Sequence, residues 1–155
     1  MKNSHPLLER AIELAVINHK GQTDKADQPY ILHPLRLMMS MDTDEKRIVA
    51  VLHDIVEDTP ITLDNLREEG FGEKIVAAID CVTKRDGEDY DSFIKRISKN
   101  PIATEVKLAD LNDNMDLSRL ADVTEKDLLR VAKYQRAVKR LRNGTKEGGD
   151  HEDGI

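Results

Sequence analysis

The chain has 155 residues, which is the length of about one ordinary domain. Its formal net charge of -6 argues against a general nucleic-acid binder, which would carry a basic balance or a basic face. Hydrophobic residues make up 39% of the chain and can form a core, but no run approaches the roughly 20 apolar residues of a membrane span. The first residues also lack the apolar centre of a signal peptide, so we expect a cytoplasmic protein without a membrane partner.

Apolar residues recur at helical spacing from the first residues onward, beginning with a stripe that includes Ala11, Leu14 and Ile17. The pattern predicts helices over residues 5–19, 34–41, 44–57, 63–69 and 73–83. Residues 21–32 are polar, and we expect them to form a loop about as long as functional loops are. The sequence Asp42–Asp44 is suited to cap the helix 44–57 and Thr62 to cap the helix that follows it, and Gly70 is suited to end one.

The second half of the chain continues the helical pattern, with predicted helices over residues 89–98, 102–114 and 124–142. No segment alternates polar and apolar residues as a strand would. Residues 143–155 are rich in Gly, Glu and Asp without periodicity, which is typical of a disordered tail. The sequence therefore predicts one all-α domain over 1–142, a compact bundle of several helices, followed by a tail over 143–155.

Two apolar groups are assigned to the core on this pattern. Leu128 and Leu129 lie on the apolar side of the last helix, together with Ala137, Val138 and Leu141. Met38, Met39 and Met41 are interpreted as a core stripe as well. A contact between subunits is the alternative for the methionines, which leaves a homo-oligomer open.

His53 and Asp54 interrupt the apolar sequence 49–56 in the middle of the predicted helix 44–57. A buried carboxylate is strongly destabilising unless it meets a cation, hydrogen bonds or a metal ion. A single histidine on an apolar face is usually a structural residue, but here two adjacent polar groups must be satisfied at once. The pair therefore indicates a metal site.

Glu57 and Asp58 follow this pair at a spacing of four residues. If the helix is continuous, Glu57 shares a face with His53, and Asp58 shares a face with Asp54. The two acids could form only a solvated last turn. However, acidic residues at a helix C-terminus oppose the helix dipole, which favours a nearby cation or a catalytic role.

Two further residues complete a candidate ligand set. His33 precedes Pro34, whose ring fixes the backbone at the start of a predicted helix, and Asp110 follows the sequence Val106–Ala109. Two imidazoles and two carboxylates suit a borderline-to-hard ion such as Mn²⁺, Fe²⁺, Zn²⁺ or Co²⁺. Spacing alone leaves open whether the four side chains meet in space.

Three separated motifs resemble the HD phosphohydrolase superfamily. They are most similar to the hydrolase domain of the RelA/SpoT alarmone enzymes and to their small stand-alone relatives. The similarity keeps the same order from about residue 5 to residue 142. The motifs are Pro29–Pro34, Leu52–Thr59 and Lys107–Asp110.

This resemblance implies an all-α fold that binds one divalent ion, with Mn²⁺ as the first choice. The ligands that it assigns to the ion are His33, His53, Asp54 and Asp110. It also implies that Glu57 and Asp58 help to activate the water that removes the 3′-pyrophosphate from (p)ppGpp. Lys25 and Asn114 match family residues that contact the nucleotide, which would make a small nucleotide the partner of this site.

Two positions depart from the alarmone hydrolases. Asp24 stands where they typically have an Arg beside the guanine, and Asp116 stands where a second cation is often found. Replacing Arg by Asp reverses a charge near a phosphate-rich ligand. Three functions are therefore weighed: a (p)ppGpp hydrolase, a hydrolase of another nucleotide or phosphoester, and a nucleotide-binding module without turnover.

Overall fold

The computed structural model describes residues 5–153, with side chains described for residues 5–144. Backbone packing divides the chain into two compact units, Met1–Thr83 and Lys84–Ile155. Within the described residues all regular elements are helices, and an isolated antiparallel bridge joins Thr23 to Pro29. The predicted all-α fold is confirmed.

The first unit is built around its third helix. The helices of this unit are α1 (His5–His19), α2 (Leu32–Met39), α3 (Asp44–Leu52), α4 (Ile55–Asp58), α5 (Leu63–Glu68) and α6 (Glu73–Val82). Residues 48–52 of α3 are all buried, and the helix packs against α1, α2 and α6. The C-terminal end of α3 therefore emerges from the middle of a core.

Several helix ends follow directly from the chemistry of single residues. The Thr43 hydroxyl accepts a hydrogen bond from the Lys46 amide, and Thr62 forms a reciprocal capping box with Asn65. Gly70 has a φ of 97°, in the left-handed region that favours glycine after a helix. These contacts confirm the predicted starts of α3 and α5 and the role of Gly70.

The prediction of one helix over residues 44–57 is wrong, because His53 and Asp54 form a break between α3 and α4. The His53 amide donates to the Ala50 carbonyl at 3.4 Å, and the His53 Nδ1 lies 2.8 Å from the same oxygen. Asp54 has φ -104° and ψ 2°, in the sparsely populated region where many active-site residues are found. The helical path therefore ends at Leu52 and resumes at Ile55.

The second unit has three α-helices and a short 3₁₀-helix among its described residues. They are α7 (Tyr90–Ile97), α8 (Pro101–Met115), the 3₁₀-helix Leu117–Arg119 and α9 (Glu125–Asp153). α8 and α9 pack together, and α7 packs against both. The buried apolar side chains of this unit include Phe93, Ile94, Ile97, Val106, Leu111 and Leu141.

The end of α9 differs from the prediction. The helix was expected to end near residue 142, but it runs to Asp153. The predicted tail, 143–155, therefore overlaps α9, and the side chains from residue 145 onward lie outside the described residues. The single domain over 1–142 and the disorder of 143–155 remain predictions.

Part of the predicted core lies at the surface. Met38 and Met41 are buried as expected, whereas Met39 is 77% exposed and Ile17 is 62% exposed. On α9 the residues Ala137, Val138 and Leu141 are buried, but Leu128 and Leu129 are exposed. No helix in the described part of the chain combines the length and the apolar character that crossing a bilayer requires.

Candidate functional site

Three side chains of the first unit bring metal-ligand atoms together. His33 lies in the first turn of α2, His53 directly follows α3, and Asp54 directly precedes α4. One ligand atom from each lies within 4.8 Å of the other two. Atoms bound to one ion at about 2.1 Å are about 3–4 Å apart, so this donor set fits a single divalent ion. The structure thus groups three of the four predicted ligands.

The imidazole of His53 is oriented by the break in the helix. A carbonyl oxygen only accepts hydrogen bonds, so the His53 Nδ1, 2.8 Å from the Ala50 oxygen, carries a proton. In the neutral ring the lone pair then lies on Nε2, which is 3.0 Å from the Asp54 Oδ2. A ring held by a backbone carbonyl at one nitrogen and turned towards the site with the other is typical of a metal-binding histidine.

Tyr30 orders the other side of the ligand group, a role that was not predicted. Its hydroxyl donates a hydrogen bond to the Asp54 Oδ2. Its ring centroid lies 5.0 Å from that of His19 and 5.7 Å from that of His33. The His33 amide donates to the Tyr30 carbonyl at 2.9 Å, which places both residues on one turn. The sequence signal that could have indicated this role is that Tyr30 belongs to the same motif as His33, Pro29–Pro34.

Glu57 and Asp58, the predicted catalytic acids, occupy the last positions of α4, and both are exposed. The expected shared face of His53 and Glu57 on one continuous helix is wrong, because the chain breaks between them. Asp54 and Asp58 keep a helical relation, since the Asp58 amide donates to the Asp54 carbonyl at 3.0 Å. The short helix therefore ties the acidic pair directly to a candidate metal ligand.

The loop between α1 and α2 is closed by its own hydrogen bonds. The Tyr30 amide donates to the Gln22 carbonyl, and the Asp24 amide donates to the Gln28 carbonyl, both at 2.9 Å. The Asp24 Oδ1 accepts hydrogen bonds from the amides of Ala26 and Gln28, each at 2.9 Å. Lys25, the predicted nucleotide contact, is exposed in this loop. Asp24 thus serves as an acceptor for the loop backbone.

Asp110 and Asn114, the remaining predicted residues, lie on α8 in the second unit. Asp110 is 6% exposed, and its Oδ2 lies 2.9 Å from the Lys107 Nζ. The Asn114 Nδ2 donates to the Asp110 Oδ1 at 2.9 Å. Lys107 belongs to the motif Lys107–Asp110, but no role was predicted for it. In this structure Asn114 and Lys107 both hold the Asp110 carboxylate.

Two tyrosines of the second unit lie in the electrostatic field of Asp110. Burial raises the pKa of Tyr90 and of Tyr134, and the charge of Asp110 raises both further. Lys107 acts in the opposite direction on both phenols. The two phenols therefore stay neutral near the buried acid.

Asp116, the second departure from the resemblance, caps the 3₁₀-helix Leu117–Arg119. Its Oδ1 accepts hydrogen bonds from the Ser118 amide and hydroxyl, and its Oδ2 lies 3.1 Å from the Arg119 Nη1. The bonds from Ser118 hold the pKa of Asp116 below its ordinary value. Asp116, like Asp24, thus accepts hydrogen bonds from the backbone of its own segment.

The chain is similar to enzymes of guanosine tetraphosphate metabolism. It is 32% identical over 120 residues to the guanosine-3′,5′-bis(diphosphate) 3′-pyrophosphohydrolase of Aquifex aeolicus, which covers 70% of this chain and 17% of that protein. It is 31% identical over 123 residues to the bifunctional (p)ppGpp synthase/hydrolase SpoT of Escherichia coli, with the same coverage. The probable GTP pyrophosphokinase of Mycobacterium leprae is 35% identical over 126 residues, or 73% of this chain and 16% of that protein. The aligned region is about one-sixth of each relative.

The fold is also that of a solved structure, described as a metazoan ortholog of SpoT that hydrolyzes ppGpp and plays a role in starvation responses. The TM-score is 0.67 at 20% identity, and the match covers 96% of this chain and 99% of the other. No protein-family model matches the chain. The curated relatives support the resemblance to SpoT-type enzymes that the three motifs indicated, and the solved structure agrees in fold.

Proposed function

We propose that this chain is a metal-dependent hydrolase of nucleotide pyrophosphates, with guanosine-3′,5′-bis(diphosphate) as its first candidate substrate. The observation that carries the proposal is the grouping of His33, His53 and Asp54 within 4.8 Å, beside the acidic end of α4. The curated relatives with this activity, aligned over about 70% of the chain, support the choice of substrate. The proposed site of action is the cytoplasm.

The proposed centre holds one divalent ion, Mn²⁺ by preference, through the three grouped side chains and Asp110. When bound, such an ion lowers the pKa of a water molecule and offsets the charge of the phosphate oxygens. The superfamily assignment and the identity of the ion rest on the motifs and on the mixed nitrogen and oxygen donor set. Membership of this chain in the HD phosphohydrolase superfamily is therefore also proposed.

Residues of the chain activate the water molecule and bind the nucleotide. Glu57 orients the attacking water and accepts its proton, and Asp58 assists the transfer. The water oxygen bonds to the phosphorus attached to the ribose 3′ oxygen, the bond from that phosphorus to the 3′ oxygen breaks, and the 3′ oxygen takes up a proton. Lys25 and Asn114 contact the nucleotide. The products are GDP and pyrophosphate.

The test is incubation of the full chain with ppGpp and Mn²⁺, with GDP and pyrophosphate both measured. Glu57→Ala should abolish turnover while keeping the metal content of the unchanged chain. Glu68→Ala removes another exposed glutamate, on α5, and should leave turnover unchanged. Absence of hydrolysis by the unchanged chain across guanine, adenine and pyrimidine nucleotides would refute an enzymatic role and favour a binding module.

A second candidate keeps the metal centre and changes the substrate to another nucleotide or phosphoester. The observation that favours it is the carboxylate of Asp24, which two backbone amides hold in the loop that also carries Lys25. A fixed negative charge weakens the binding of a substrate with four phosphate groups through repulsion. Comparison of kcat/KM for ppGpp with values for less charged phosphoesters distinguishes the two, since the higher value identifies the substrate class.

A further inference from the structure

Gln22 joins the end of α1 to the end of α4 through its side chain. Its Oε1 lies 2.8 Å from the His19 Nδ1, and its Nε2 donates to the Asp58 carbonyl at 3.1 Å. The backbone of Gln22 is bonded on both sides, because its amide donates to the His19 carbonyl and its carbonyl accepts from the Tyr30 amide. One side chain therefore connects the loop 20–31 to the segment that carries the predicted catalytic acids.

The direction of each hydrogen bond in this connection is determined by chemistry. The Asp58 carbonyl only accepts, so the NH₂ group of the Gln22 amide must face it. The amide oxygen then faces His19, and because that oxygen also only accepts, the His19 Nδ1 carries the proton. His19 therefore donates a hydrogen bond to Gln22, and Gln22 donates one to the Asp58 carbonyl.

The burial of His19 agrees with this assignment. The residue is 1% exposed, and burial lowers the pKa of its imidazole, which favours the neutral ring with one proton. The ring packs on Tyr30, whose hydroxyl donates to Asp54, so it is held in place on a second side. The Nε2 atom is buried without a hydrogen-bond partner among the described residues. Among the described residues, the His19 ring therefore makes its hydrogen bond through Nδ1.

We propose that Gln22 and His19 are positioning residues, which hold the Asp58 carbonyl and thereby place Glu57 and Asp58 against the loop that carries Lys25. This inference rests on the proposed function for its kinetic consequence. A short helix of four residues has few internal bonds of its own, so an external bond to its last carbonyl restrains it. Correct placement of an acid by such a bond is a rate effect more than a binding effect.

The first test removes the connection in the full chain. Gln22→Ala should lower kcat by about a hundredfold, with KM changed less than about threefold and the metal content unchanged. Gln28→Ala, a substitution of an exposed glutamine of the same loop, is the matched control and should keep kcat. A Gln22→Ala variant with the kcat of the unchanged chain overturns the proposal.

The second test separates the two nitrogens of His19. Asparagine places an N–H group near the position of Nδ1, so His19→Asn should keep the bond to Gln22 and most of kcat. Glutamine places its polar group near Nε2, so His19→Gln should behave like Gln22→Ala. The opposite order, with His19→Gln active and His19→Asn inactive, would mean that His19 acts through Nε2 and not through Gln22.

A third measurement does not depend on turnover. The Asp58 amide bonds to the Asp54 carbonyl inside α4, so its hydrogen exchange reports the order of that helix. Exchange should accelerate at least about tenfold in Gln22→Ala and stay unchanged in Gln28→Ala. If the unchanged chain has no hydrolase activity but the exchange result holds, the proposed function fails and the positioning role stands. If exchange is unaffected, the positioning role fails.

Discussion

The His53 Nδ1 lies 2.8 Å from the Ala50 carbonyl oxygen, and this contact both ends α3 and orients the imidazole. In a continuous helix the Ala50 carbonyl would accept a hydrogen bond from the Asp54 amide, but here it accepts from the His53 side chain. The same bond leaves the Nε2 lone pair on the side of Asp54. A local break in secondary structure therefore creates the geometry of a metal ligand.

This relation predicts different outcomes for two substitutions at His53. Asparagine can still donate to the Ala50 carbonyl but offers no atom in place of Nε2, whereas alanine loses both functions. We expect both variants to lose bound metal, and His53→Asn to be about 1 kcal/mol more stable than His53→Ala in chelator. Elemental analysis and urea unfolding measure the two effects. Retention of one equivalent of metal by His53→Asn would show that Nε2 is not a ligand.

Tyr30→Phe is predicted to weaken metal binding while preserving the fold. The substitution removes the hydroxyl that donates to Asp54, but the ring remains between those of His19 and His33. Loss of a group that orients a ligand typically lowers metal affinity by about 10- to 100-fold. Competition with a chelator of known affinity measures the change. An unchanged affinity would contradict a role of the hydroxyl in orienting Asp54.

Asp24→Asn and Asp24→Arg are predicted to separate the charge of this residue from its role as a backbone acceptor. The asparagine oxygen can still accept from the amides of Ala26 and Gln28, so Asp24→Asn should keep the loop ordered and lower KM for ppGpp. Asp24→Arg loses the acceptor, and exchange of both amides should accelerate. The KM effect of Asp24→Asn should shrink in high salt, because screening weakens a charge effect. Protected amides in Asp24→Arg would contradict the acceptor role.

Glu88 should make the stability of the chain depend on acid pH. Hydrogen bonds from Arg96, assisted by the Arg85 amide, lower the pKa of Glu88 from 4.5 to about 2. A carboxyl with a lowered pKa in the folded state stabilises the fold above its ordinary pKa, and that contribution is lost as the pH falls towards about 2. Glu88→Gln should therefore unfold at lower urea concentration at neutral pH, and the difference should vanish near pH 2.

A matched variant controls for general effects of removing a carboxylate. Glu9 is an exposed glutamate of α1, so Glu9→Gln should unfold at nearly the same urea concentration as the unchanged chain throughout this range. A difference between Glu88→Gln and the unchanged chain that persists at pH 2 would assign the effect to packing of the side chain, not to its charge.

The sequence predicted the helices and their caps well because these depend on local chemistry. Within the predicted capping sequence Asp42–Asp44 it is Thr43 that accepts the bond, Thr62 accepts the bond expected of it, and Gly70 has the expected left-handed backbone. The motif residues His33, His53 and Asp54 do converge, which spacing alone could not establish. Helix caps and left-handed glycines could be predicted because they depend on the residue type at the helix end.

The break at His53 and Asp54 was missed because the sequence there contains neither Gly nor Pro, and apolar residues at helical spacing continue on both sides of the pair. The break depends on a side chain bonding to a backbone carbonyl, which periodicity does not encode. Gln22 was missed for a different reason, since its importance comes from Asp58, 36 residues away. Contacts of this range depend on how the helices pack.

Much of the backbone of the loop between α1 and α2 is hydrogen-bonded within the loop itself. The Tyr30 amide donates to Gln22, the Asp24 amide donates to Gln28, and the Asp24 carboxylate accepts from two further amides. Substitutions at the tip of this loop, residues 25–27, are therefore expected to leave the backbone of His33 and of α3 in place. Under the proposed function, a lineage carrying this scaffold is expected to acquire new nucleotide preferences by single substitutions at the tip while the proposed metal ligands are inherited unchanged. Selection for a substrate and selection for the reaction then act on different residues.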